Sequence, residues 1–116
     1  MSISTLVPIL FKYQLLLKLY HWQTLLYARH KASDELYDHF TDFMDQLVEY
    51  GTSNNRLVIQ PQEIYIQNMT DDNAISFLEE LYSIIKSIST KDKGIRARRD
   101  DLLGYIHQAI YLFRLS

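Results

Sequence analysis

The amino-acid sequence predicts an all-α protein, an antiparallel four-helix bundle in a single domain over residues 1–116. Four segments carry apolar residues at the 3-4-3 spacing of a helix with one buried face. The chain is 47% hydrophobic and 22% charged, and its three glycines and two prolines leave little linker material. Four amphipathic helices of similar length bury one another most economically as a bundle.

The first two predicted helices fill the N-terminal half of the chain. The first runs from about Thr5 to His21, with Pro8 tolerated in its opening turn. The second runs from about Ala28 to Tyr50 and is expected to stop at Gly51, a common residue after a helix end. Their predicted buried stripes are Leu6, Ile9, Leu10, Tyr13, Leu16, Leu17 and Tyr20, and Leu36, Phe40, Phe43, Met44 and Leu47.

The other two helices follow a long irregular segment at residues 51–71. Thr70 or Asp71 is expected to cap the third helix, since both residue types accept hydrogen bonds from free backbone N–H groups. The fourth helix begins near Lys93 and runs almost to the end, and Gly104 in its middle predicts close approach of a neighbouring helix. Their predicted buried stripes are Ile75, Leu78, Leu81, Tyr82, Ile85 and Ile88, and Leu102, Ile106, Ala109, Ile110 and Phe113.

Composition excludes several classes of function. The formal net charge of −2 gives no general attraction to nucleic acid. Lys12, Gln14 and Lys18 interrupt the apolar run 6–22, which leaves no uncharged span of ~20 residues for a membrane. No secretory signal pattern is present, so we expect a soluble, intracellular, cytoplasmic protein. Because cysteine is absent, a transition-metal site must use His, Asp and Glu, which favours iron, manganese or zinc.

Histidines and carboxylates follow a metal-site pattern near the N-terminus. It consists of a His-Trp pair, a His-x3-Asp pair and an Asp-x3-Glu pair, namely His21-Trp22, His30/Asp34 and Asp45/Glu49. The i,i+4 spacing places both members of a pair on the same side of a helix. Residues 32–55 contain no lysine or arginine, so the acids of the second helix need a cation, a basic partner or water.

The spacing of the two pairs predicts a site shared between subunits. Asp34 and Asp45 are eleven residues apart, which is ~16 Å along a helix. A second copy lying antiparallel would bring the first pair of one chain beside the second pair of the other. A homodimer through the second helix would then have two equivalent sites. His21 joins only if the chain turns between residues 24 and 29, and a helix start at Ser33 would instead leave His30 outside the helix.

Residues 12–50 resemble the Dps mini-ferritins of the ferritin-like superfamily. The matching pattern is Leu15-x-Leu17-Lys18-x-x-His21-Trp22, followed by His30-x3-Asp34-x10-Asp45-x3-Glu49. The resemblance implies a ferritin-like bundle that forms dimers or larger homo-oligomers and oxidises Fe(II), typically with hydrogen peroxide. It implies that one subunit supplies His21, His30 and Asp34 as iron ligands, that its two-fold mate supplies Asp45 and Glu49, and that Trp22 lies nearby.

Other interpretations stay open from the sequence. The acidic second helix could be a solvated face, or it could bind a basic partner in a non-enzymatic assembly module. Core packing is the expected role of Tyr20 and of Trp22, with electron relay as the second interpretation. The basic run from Lys91 to Arg99 could contact phosphate or nucleic acid, but pairing with the acidic second helix, within or between subunits, is the simpler expectation.

Overall fold

A computed structural model of the chain describes residues 2–52 and 55–116 and confirms the predicted all-α bundle. Its four helices are α1 (Ile3–Gln23), α2 (Tyr27–Thr52), α3 (Ala74–Lys86) and α4 (Lys93–Arg114). The predicted end of α2 at Gly51 was wrong, because the helix continues through this residue to Thr52. The predicted start of α4 at Lys93 is confirmed.

Side-chain capping explains where two of the helices, α1 and α4, begin. The Ser2 hydroxyl accepts from the Thr5 amide at 3.3 Å, which starts α1 two residues before the predicted position. The Asp92 carboxylate accepts from the Ile95 amide at 2.9 Å at the start of α4. The prediction for α3 was wrong: Asn73 is the N-cap, while Thr70 lies outside the helix and exchanges side-chain hydrogen bonds with Asn73.

The buried stripes predicted from periodicity form the core. All of their residues are buried except Ile9, Ile75 and Tyr82, which are partly buried against the core. Gly104 is an exception to the predictions for α4: a Cβ built there would meet nothing within 4 Å, so no helix approaches it closely. This glycine therefore carries only its helix-weakening cost.

Contacts along the helices define the topology. Lys18 contacts Asp34, and Arg29 contacts Phe113, so α2 is antiparallel to both α1 and α4. Tyr13 stacks on Phe77 at 5.5 Å between ring centroids, which places α3 on the remaining side of α1. Around the bundle the order is α1, α2, α4, α3, and the directions along the chain are up, down, down, up.

This topology requires one long crossover between α2 and α3. Gly51, at the end of α2, lies beside Ile3 at the start of α1. At the opposite end of α1, Gln23 accepts from the Met69 amide at 2.7 Å. The described residues 55–73 therefore travel along α1 from one end of the bundle to the other.

Helix α1 is the one helix in the described ranges that is long and apolar enough to span a membrane, judged by length and composition. In the structure it lies within the bundle, with nine buried residues facing its neighbours.

Candidate metal centre

The turn between α1 and α2 brings the two predicted histidine ligands together. Helix α1 ends at Gln23, and α2 begins at Tyr27 after a connection of three residues. His21 lies in the last turn of α1 and His30 in the first turn of α2, and their rings stack with centroids 3.9 Å apart. The alternative start at Ser33 was wrong, because Ser33 is buried inside α2.

Reciprocal hydrogen bonds determine which nitrogen of each imidazole is free. His21 Nδ1 lies 2.7 Å from the carbonyl oxygen of His30, and His30 Nδ1 lies 2.8 Å from the carbonyl oxygen of His21. A carbonyl oxygen can only accept, so both Nδ1 atoms carry the hydrogen and both neutral rings keep a lone pair on Nε2. Metal-binding histidines are commonly oriented by this type of bond. In the neutral form of both rings, the pair therefore presents two Nε2 atoms with free lone pairs.

Asp34 adds a carboxylate to this pair. Its Oδ1 lies 3.8 Å from His21 Nε2, one turn along α2 from His30. The Lys18 ammonium lies 3.4 Å from the same oxygen and also stands over the ring of Tyr37, 4.6 Å from its centroid. Half of the Asp34 side chain is exposed, so the carboxylate opens to the outside of the α1–α2 hairpin.

A partly buried network of hydrogen bonds holds the turn. The Asp71 carboxylate accepts from the Thr24 hydroxyl at 2.6 Å and from the Tyr20 hydroxyl at 2.7 Å. The buried guanidinium of Arg29 donates to the backbone carbonyls of Asp71 and Phe113, both at 2.8 Å. Hydrogen bonds to charged groups are stronger than neutral ones, which explains how a turn without glycine or proline is stabilised.

The network shifts the acidity of two of its members. Burial is the main cause that raises the pKa of Tyr20, with its hydrogen bond to Asp71 adding to the effect. The pKa of Asp71 is lowered, first by the hydrogen bond from Thr24 and then by the bond from Tyr20 and the charge of Arg29. Asp71 is therefore held as an anion at neutral pH and keeps its two hydroxyl partners as donors.

The second predicted pair lies away from the first. Asp45 and Glu49 are exposed on α2, eleven or more residues beyond Asp34, so one subunit does not bring all five predicted ligands together. Within residues 2–52 and 55–116, no group of three His, Asp or Glu side chains is placed to hold a metal ion in one chain.

Exposed apolar side chains lie along the outer edge of α1. The predicted core role of Tyr20 is confirmed at 1% exposure, but that of Trp22 was wrong, because 68% of Trp22 is exposed. Phe11 and Leu15 are also exposed, at 43% and 45%, and they continue the row of Trp22 at helical spacing. Lys18 lies in this row and contacts Asp34, so the row borders α2.

Within one chain, no salt bridge among the described residues joins the basic run to the acidic second helix, so the expectation of pairing inside a subunit was wrong, and pairing between subunits stays a prediction. Among the described residues, Arg99 binds Asp100 at 3.1 Å and the carbonyl oxygen of Ile88 at 2.8 Å. Arg98 stands over the ring of Tyr50 with no carboxylate in salt-bridge range.

Sequence reasoning missed the residues that build the turn. Arg29, Thr24 and Asp71 had no assigned role in the site, and Asp71 was assigned to a helix cap. These residues bond to groups 42 to 84 residues away along the chain or across the turn. No local sequence pattern therefore indicates their role.

Comparison with protein families identifies a match over most of the chain. The model of a family described as of unknown function (DUF5856) matches residues 21–113, which include the whole candidate centre from His21 onward. No curated protein and no solved structure matches the chain.

Proposed function

The chain belongs to the family of unknown function DUF5856, and we propose that it is a small iron-binding protein, ferritin-like in fold, that oxidises Fe(II) at a site shared between two subunits. The observation that carries the proposal is the His21–His30 pair, whose Nδ1 atoms are both engaged by carbonyl oxygens. Two imidazoles of fixed tautomer, one of them with its Nε2 3.8 Å from the Asp34 carboxylate, supply nitrogen and oxygen donors of the types that suit iron.

The second half of the site would come from the partner. In an antiparallel pairing of two α2 helices, Asp45 and Glu49 of one subunit reach the His30 and Asp34 end of the other. Asp45 and Glu49 are exposed and have no salt-bridge partner among the described residues, so they are available for this role. The exposed row of Phe11, Leu15 and Trp22 supplies apolar surface for the same contact.

The chemistry follows from the ligand set. Carboxylates stabilise Fe(III) more than Fe(II), and therefore favour loss of one electron from each bound iron. Two Fe(II) ions reduce one hydrogen peroxide to two waters with uptake of two protons. Lys18 would have to leave the Asp34 carboxylate when iron binds there. Zinc and manganese suit the same ligands and would compete.

The topology also supports the proposal. Four-helix bundles with one long crossover include the ferritin-like folds, in which metal sites are built from side chains on facing helices. In this proposal the protein acts in the cytoplasm as a soluble dimer or larger homo-oligomer.

Mixing two inactive variants tests whether the site is shared. Asp34→Asn removes a ligand from one half-site, and Asp45→Asn with Glu49→Gln removes ligands from the other. Each homodimer should lose Fe(II) oxidation, while mixed dimers regain one intact site. Equal amounts after exchange of subunits should then give about a quarter of the wild-type rate, because half of the dimers are mixed and each has one site of two.

The matched control changes acids outside the proposed site. Asp38→Asn with Asp42→Asn alters the same charge on the same helix and should leave oxidation unchanged. The proposal of a shared Fe(II)-oxidation site would be overturned if sedimentation shows a monomer, or if no variant slows the oxidation. If the protein dimerises but binds no iron, and a basic partner protein competes with dimerisation, the acidic helix instead serves assembly.

A further inference from the structure

The end of the bundle opposite the histidines contains a cavity of about 610 Å³. Side chains from α1, α2 and α4 and from the end of α3 line it, and the cleft beside Pro8 and Tyr65 measures about 330 Å³ by comparison. Ligand sites in proteins have about 300–1,000 Å³ and are lined mainly by apolar groups. This cavity therefore has the size of a small-molecule site, at a place that the proposed iron chemistry does not use.

The cavity wall is apolar and its rim is polar. Leu6, Leu47, Ile88 and Ile95 line it and are all buried, with no more than 7% of any of them exposed. Hydroxyl groups stand at the rim, including that of Ser89, which lies in the exposed connection between α3 and α4. A ligand that fills this space must have an apolar body and one polar end.

Two lysines are neighbours in sequence of residues that line the cavity. Lys91 directly follows the rim residue Thr90, and Lys93 lies two residues before the wall residue Ile95. Both lysines are exposed and have no salt-bridge partner in the described part of the chain. The intervening Asp92 is occupied as the cap of α4, since its carboxylate accepts from the Ile95 amide. Cations at a helix start are unfavourable unless an anion joins them.

We propose that this end of the protein binds an amphiphile with one alkyl chain and an anionic headgroup, of the long-chain carboxylate type. The alkyl chain lies in the cavity between α1 and the α3–α4 connection, and the carboxylate lies against Lys91 and Lys93. Such a ligand would use both the cavity and the unpaired lysines, at a place separate from the iron site.

Titration with alkyl carboxylates of increasing length tests the proposal. Below micelle-forming concentrations, affinity should rise about fourfold for each added methylene until the cavity is full. Methyl NMR signals of Ile88 and Ile95 should shift on binding, whereas that of Ile106, which does not line the cavity, should stay unchanged. Affinity that does not depend on chain length, or absence of these shifts, would overturn the proposal.

Two variants separate the roles of cavity and charge. Ser89→Trp puts a large side chain at the rim and should block alkyl carboxylates and alkyl alcohols alike. Lys91→Glu with Lys93→Glu should weaken the carboxylates about tenfold or more while leaving the alcohols unchanged. Lys12→Glu with Lys31→Glu makes the same change in net charge elsewhere and should have no effect on either.

A membrane surface is the competing source of anionic headgroups. Vesicles containing anionic lipid test it directly with the wild type and Ser89→Trp. If both bind vesicles equally and neither binds monomeric carboxylate, the lysines act as a surface patch and the proposed cavity ligand is excluded.

Discussion

Arg29 in α2 is bonded to Phe113 near the end of α4, 84 residues further along the chain. Its guanidinium donates to the Phe113 carbonyl oxygen at 2.8 Å and lies 5.1 Å from the centre of the Phe113 ring. The last carbonyls of a helix lack intrahelical partners and carry partial negative charge, so a cation is favourable there. One buried side chain thus links the turn below the histidine pair to the far end of the chain.

Loss of this side chain should destabilise the bundle. Arg29→Gln removes the charge and both of its bonds to carbonyl oxygens, which leaves the Phe113 carbonyl with only the Ser116 amide at 3.2 Å, so the free energy of unfolding should fall by about 2–4 kcal/mol. Urea unfolding measures the change. The control is Arg114→Gln, which removes an exposed arginine 3.8 Å from Glu79 and should cost less than about 0.5 kcal/mol. Equal effects of the two variants would contradict the role of Arg29.

Asp71 should make stability depend on pH in the acid range. Its pKa in the folded state is below the ordinary value of 3.8, so the unfolded chain takes up the proton first. The stabilisation is complete above about pH 4 and is lost as the pH falls through the folded pKa.

Asp71→Asn should therefore lower stability near neutral pH, by about 1–2 kcal/mol, and the difference from wild type should shrink in acid. Unfolding curves recorded between pH 7 and pH 2 measure this difference in the free energy of unfolding. Asp72→Asn, at the exposed neighbouring carboxylate, serves as the control and should run parallel to wild type throughout.

The two histidines should share one tautomer. At pH 8, nitrogen NMR should show protonated Nδ1 and unprotonated Nε2 in both His21 and His30, because each Nδ1 donates to a carbonyl oxygen. His107 is exposed and is not held by a hydrogen bond among the described residues, so it should show the mixture of tautomers of a free imidazole. Protonated Nε2 in either member of the pair would remove the ligand geometry from the candidate centre.

Gly104→Ala should stabilise the protein by about 0.5–1 kcal/mol. The position is exposed in α4 and has room for a Cβ, so the variant gains helix propensity at no steric cost. Gly51→Ala is the contrasting variant, since its Cβ would meet the end of Ile3 at 2.9 Å. Its gain should be smaller or absent in thermal unfolding. A larger gain at Gly51 than at Gly104 would disagree with the packing.

The helices and their buried faces were predictable because periodicity is a local signal. The stripe Leu36, Phe40, Phe43, Met44 and Leu47 repeats at the helical period, and all five residues are buried. The same helical period places His30 and Asp34 on one side of α2. The rise per residue of a straight helix shows that Asp45 of the same chain lies too far away to join them.

The placement of His21 against His30 was decided only by the tertiary structure. The turn between them has no glycine or proline, and it is held by Asp71 and Arg29 through bonds to groups that are distant in sequence. Trp22 shows the same limit of sequence-based prediction. The sequence pattern of an apolar residue on a helix does not show whether its side chain is buried or exposed, and Trp22 is 68% exposed. By itself the sequence determined which residues share a helix face. Long-range hydrogen bonds and packing, which leave no periodic trace, decided which faces meet and which stay open to a ligand or a partner.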